Sequence, residues 1–193
     1  MEIAVSVCLG LGLSATCGFR VFIPLLLSSL AAHLGWIELS SGFQWMAGLP
    51  AVAFFATATL FEVGGYLVPW IDNLLDTVAT PAAVVAGMLV MASVVLGLPP
   101  LLRWGLAVVA GGGAAGTVQA GTVLLRGASS VTTGGAANPT VSAGETAASV
   151  AGSAVTLLLP LLGGLLAIAV VSIAAWRVAR RRRKTLSGPQ VRA

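Results

Sequence analysis

Long apolar runs, broken by very little charge, decide what this chain can fold into. They cover residues 3–34, 50–69, 81–98, 101–125 and about 143–176. Each is close to or above the roughly 20 residues that a helix needs to cross a hydrocarbon core of about 30 Å. Over the whole chain 58% of residues are hydrophobic and 8% are charged, with mean hydropathy +1.01. A soluble domain carries about 25% charged residues. No water-soluble fold of 193 residues could hide this much apolar side chain, because its surface would have to be apolar too. The expected fold is therefore all-α, a polytopic transmembrane helical bundle of about five spans. It forms one domain over residues 1–176, followed by a basic, unstructured tail over 177–193.

The first run is too long for one straight span. Its 32 residues would make a helix of about 48 Å against about 30 Å of hydrocarbon. It must tilt strongly or break, and Gly18 and Pro24 are the natural places. A broken segment that dips in and returns would leave four full spans. The five tryptophans, Trp36, Trp45, Trp70, Trp104 and Trp176, all fall at or just beyond a run's end. That is where a half-solvated indole belongs.

The net charge of +4 comes from one place. Residues 1–176 carry −3, and residues 177–193 carry +7 through Arg177, Arg180, Arg181, Arg182, Arg183, Lys184 and Arg192. Such a tail stays cytoplasmic and meets anionic lipid headgroups through Arg180 to Lys184. No nucleic-acid partner is expected. With five spans the loops 69–80 and 126–142 would lie on the side opposite the tail, and Arg126 would mildly violate the charge rule. The expected location is a bacterial cytoplasmic (inner) membrane, multi-pass. Cys8 and Cys17 lack metal-ligand spacing and read as small buried thiols.

Ionisable groups inside lipid need a partner or a task, since each costs about 2.5–3.5 kcal/mol to insert. Arg20 lies within "GFRVFIP" and Glu62 within the second run. Asp72, Asp76 and Thr80 are spaced to share one helix face. Thr80-Pro81 and Asn138-Pro139 resemble helix starts, and Ser142-Ala-Gly-Glu145 has the capping-box pattern. The polar stretch 129–146 also holds Thr132, Thr133, Gly134 and Gly135. Glycines that expose backbone N–H groups beside a helix start could cup an anion, or hold a cation through carbonyls with Glu145. The plain alternative is an ordered turn before a capped helix. The candidate polar site is thus Arg20, Glu62, Asp72, Asp76, Thr80, Thr132, Thr133, Gly134, Gly135, Asn138 and Glu145. Arg20 is expected to pair with Asp72, Asp76 or Glu145, with the 132–138 loop packed over the pair. Gly112 and Gly116, four apart, allow close helix approach.

Neither H-E-x-x-H nor G-x-S-x-G occurs, and His33 is the only histidine. An enzyme acting on lipid is thus the weakest reading, and no metal or cofactor is called for. A small transporter or channel-like protein with a polar intramembrane site is the first reading. A membrane scaffold or assembly protein whose buried charges are structural is the second. Five spans are few for a transporter, so a homo-oligomer is expected.

"GFRVFIPLLLSSLAAHLG", "TPAAVVAG" and "TTGGAANPTVSAGE", in this order, resemble a bacterial multi-pass membrane family known as domain of unknown function 4126. The resemblance covers roughly residues 8–165 and implies a compact helical membrane protein with no established activity. In that family an acid often follows the glutamate matched by Glu145. Thr146 stands there in this chain, which weakens any role needing paired carboxylates.

Overall fold

A computed structural model describes the backbone over residues 3–66 and 69–186 and the side chains over 3–66, 78–177 and 180. The described residues form helices α1 (Ile3–Cys17), α2 (Phe22–His33), α3 (Leu49–Gly65), α4 (Pro69–Val94), α5 (Pro100–Leu106), α6 (Gly113–Thr133), α7 (Asn138–Leu158) and α8 (Pro160–Leu186). A 3-10 helix, Ser41–Ala47, precedes α3, and a π-helical segment, Ala107–Gly112, joins α5 to α6. The α5–π–α6 stretch runs unbroken over Pro100–Thr133, 34 residues. It and Pro160–Arg177 are long and apolar enough to cross a membrane. A third crossing is made if the 3-10 helix and α3, which meet at 70°, count as one. Phe61, Leu101, Val109, Leu124 and Val131 are exposed, an outer surface suited to lipid.

The first run breaks at residues 18–21, and the chain returns on itself. Ile3 lies beside Gly97, and the Leu96 N–H donates to Ser6 at 3.3 Å, so α1 starts next to the end of α4. The Ser14 hydroxyl donates to the Gly87 carbonyl at 2.8 Å, so α1 runs antiparallel to α4. After the break α2 travels back. The Ser40 N–H donates to the Ser93 carbonyl at 2.7 Å, and the Ser29 hydroxyl donates to the Met46 carbonyl. Thus α1 and α2 form a hairpin entered and left at one end of the bundle. Its tip lies at mid-height. A Cβ on Gly18 would sit 2.5 Å from the Ala115 carbonyl oxygen and 2.8 Å from the Gln119 nitrogen, halfway along Pro100–Thr133. Only glycine permits that approach.

A second hairpin enters from the opposite end. The hydroxyls of Thr16 and Ser153 are 2.9 Å apart, and a Cβ on Gly12 would lie 2.6 Å from Thr156 and 3.0 Å from the Gly163 carbonyl carbon. Gly164 packs on Cys8, whereas Ala167 packs with Ala15, Ala114 and Val118. Along α1, then, α7 descends and α8 climbs, turning at Leu159 before Pro160. Proline cannot continue the α7 hydrogen bonding, and Leu159 leaves the helical region at φ −133, ψ 74.

These two returns correct the expected layout. The far end of α8 lies on the same side as the α6–α7 turn, because α7 and α8 form a hairpin. Loop 126–142 is therefore not opposite the tail. Thr80-Pro81 starts no helix: α4 begins at Pro69, Pro81 lies inside it, and Thr80 is exposed. Ser142 caps nothing, since α7 already begins at Asn138, one turn earlier. Asn138 does not cap either; its amide donates to Ser130 at 3.1 Å. Gly112 and Gly116 do serve close packing, against Met88 and Val84 of α4.

Candidate functional site

The break between α1 and α2 exposes backbone groups at mid-height, where water is scarce. Glu62 of α3 satisfies two of them. Its carboxylate accepts the Val21 N–H at 2.7 Å and the Phe22 N–H at 3.0 Å, capping α2 from another helix. A carboxylate at a helix N-terminus also opposes the positive end of the helix dipole. Arg20 sits in the same break and is 1% exposed. Its Nε donates to the Thr146 hydroxyl at 3.0 Å, and its Nη2 to the Ser142 carbonyl at 2.8 Å and the Ser142 hydroxyl. Nη2 lies 3.7 Å from the Glu145 carboxylate.

Arg126, one helix away on α6, takes Glu145 more closely. Its Nε donates to both carboxylate oxygens, at 3.0 and 3.1 Å, and its Nη2 also donates to Oε2. The Tyr66 ring contacts both cations, with centroid distances of 3.9 Å to Arg20 and 4.1 Å to Arg126. Two guanidiniums, two carboxylates and an aromatic face thus meet around the hairpin tip, from α3, α6, α7 and the break. A guanidinium stays charged inside a protein, so burial forces this gathering of acceptors. Arg20 Nη1 is buried and makes no hydrogen bond among the described residues.

From this cluster a polar track follows α7. Its buried positions are Ser142, Glu145, Ser149, Ser153 and Thr156, with no apolar residue among them. Ser149 donates to the Thr16 carbonyl at 3.2 Å, and Ser153 meets the Thr16 hydroxyl. A cavity of about 130 Å³ lies along this seam, lined in part by Thr16, Gly152, Thr156 and Gly163. A larger cavity of about 560 Å³ lies between α2, α3 and α4, with Glu62 and Tyr66 in its wall.

Of the residues expected from sequence, the structure gathers Arg20, Glu62 and Glu145. The side chains of Asp72 and Asp76 lie outside the described residues. Thr80 is exposed on α4. Thr132, Thr133, Gly134, Gly135 and Asn138 form an exposed or half-exposed turn whose hydrogen bonds are local. That turn does not cover the Arg20–Glu145 pair, because α7 starts early enough to carry Glu145 two turns into the core. Arg126, Tyr66, Ser142 and Thr146 were missed as members of the cluster. The spacing 142, 145, 149, 153, 156 is a helical stripe that the sequence does display. Thr146 joins the cluster through its hydroxyl, which accepts from Arg20 Nε at 3.0 Å.

Fold and cluster together define an all-helical protein with two or three candidate membrane spans and a buried polar centre. The chain belongs to the family described as Domain of unknown function (DUF4126), whose model matches residues 7–181. No curated protein and no solved structure matches it.

Proposed function

We propose that this protein moves a small charged group across a bacterial cytoplasmic membrane, through the polar centre formed by the two hairpins. The observation that carries this reading is the polar inner face of α7, which leads from Arg20, Arg126 and Glu145 down to Thr156. In a lipid-dissolved protein the buried face of a helix is free to be apolar, and polar groups placed there incur a desolvation cost. Broken helices whose ends meet charge at mid-membrane are the style of transporter sites. In this reading α1–α2 dips in from one face, α3, α4 and Pro100–Thr133 cross, and α7–α8 enters from the other face as a hairpin whose second arm, Pro160–Arg177, is long enough to cross. The basic tail sets its own side as cytoplasmic, and the α6–α7 turn lies there with it. Arg180, stacked 5.1 Å from the Trp176 ring centroid, begins the contact with anionic headgroups that Arg181 to Lys184 continue. With so few crossings the working unit is a homo-oligomer.

The scaffold reading has its own support. Glu145 and Arg126 satisfy each other closely, and the Thr16–Ser149–Ser153 bonds tie α1 to α7. Flux separates the two. Purified protein in liposomes is given gradients of H⁺, Na⁺, K⁺, chloride and phosphate, and flux is followed with ion-sensitive dyes. Transport predicts a flux above protein-free liposomes that Ser149→Ala, which removes the hydroxyl without adding bulk, reduces while cooperative thermal melting is retained. Silence for every ion, together with no headgroup translocation in a dithionite assay, favours the scaffold.

A further inference from the structure

The cavity of about 560 Å³ between α2, α3 and α4 has a size common to small-molecule sites. Its wall includes Val21, Phe22, Ala58, Phe61, Glu62 and Tyr66. Two features select an occupant. First, the mouth opens toward lipid: the lining residues Leu60 and Phe61 are 74% and 77% exposed. Second, the charged group among the described lining residues is one carboxylate, Glu62, itself 7% exposed. Its hydrogen bonds are the two backbone N–H groups of α2, and the described residues place no cationic nitrogen within 4.0 Å of it. A carboxylate offers about four lone-pair sites, so acceptor capacity remains. Among the described residues Arg20 donates to Ser142 and Thr146 and Arg126 to Glu145, and neither donates to Glu62.

We infer that this cavity binds one amphipathic molecule drawn from the bilayer, with an ammonium head on Glu62 and an apolar chain along Phe22, Ala58 and Phe61. A fatty-acid carboxylate would face the Glu62 carboxylate in an apolar wall, and an uncharged chain would leave the remaining lone pairs of that carboxylate without a donor. A bare inorganic cation would find too few oxygen ligands here. The binding stands on the cavity alone; that the bound amine is then carried onward rests on the transport reading above.

The test uses the full chain in a non-ionic maltoside detergent, with dodecylammonium, dodecanoate and dodecanol as probes, followed by calorimetry and thermal shift. Dodecylammonium is expected to bind at least about tenfold more tightly than dodecanoate, equivalent to about 1.4 kcal/mol. Ala58→Trp or Ala82→Phe, which fill the cavity, should abolish binding. Glu62→Gln should erase the preference for the amine over the acid. Equal or tighter binding of dodecanoate, or unchanged amine binding in a folded cavity-filling variant, overturns the inference. If neither filling variant folds, the charge preference of Glu62→Gln against the original chain decides. Amine binding without any flux keeps this site and removes the transport reading; ion flux without amine binding does the reverse.

Discussion

Arg126 and Glu145 lose water on both partners, so each depends on the other. Loss of one member of a buried pair typically costs about 3–5 kcal/mol, and removal of Arg126 leaves Glu145 with the more distant Arg20 at 3.7 Å. Arg126→Ala and Glu145→Ala should each lower thermal stability in detergent sharply, and the double variant should fall well short of their sum. Additive losses would show that the two are not coupled. Gly134 and Gly135 make a different residue-scale case. Their φ values are +62 and +87, where a β-branched side chain is strained. Gly134→Val should cost about 1–2 kcal/mol. Gly144→Val, in an ordinary helical position with open space around it, should cost less. Equal losses would remove the strain argument. Charge inside an apolar run made Arg20, Glu62 and Glu145 legible in the sequence. Arg126 was not, because it follows the last apolar residue of its run and reads as a loop charge until α6 is seen to continue to Thr133.

The start of α2 shows how an element can depend on another helix. Its cap is Glu62, 40 residues away in sequence from Phe22, so no local pattern announces it. Glu62→Ala should leave the Val21 and Phe22 N–H groups unpaired and destabilise by about 0.5–2 kcal/mol, as loss of a cap does. Faster hydrogen exchange confined to the first turn of α2 would mark the cause; unchanged exchange there would contradict it. Local patterns misled at two other starts. Ser142-x-x-Glu145 has capping spacing, yet Arg20 draws Ser142 into the core and α7 begins a turn earlier. Thr80-Pro81 looks like a start because proline suits a first turn, but α4 passes through it. The break at residues 18–21 was legible from length and Gly18. Its direction was not, since hydropathy is the same for a segment that crosses and one that returns.

For the whole molecule, the two returning hairpins set which loops share a side. On a background lacking Cys8 and Cys17, single cysteines at Ala136 and Leu186 should label from the same side of the membrane, and a cysteine at Gly42 from the other. Labelling of positions 136 and 186 from opposite sides would restore a simple alternating layout and remove the α7–α8 hairpin. The central claim is that the seam between these hairpins is a route and not only a joint. Ser149 tests it most directly, because it lies on the polar face of α7 and is fully buried in this state. The measurement is the reaction of Ser149→Cys with a small, membrane-impermeant cationic thiol reagent in native membranes. Ala136→Cys serves as the exposed control and Ala86→Cys as a buried apolar one. A working route must open to water at some stage, so Ser149→Cys should react while Ala86→Cys does not. Failure of Ser149→Cys to react under conditions that fully modify Ala136→Cys would mean that the seam stays dry, and would contradict the account.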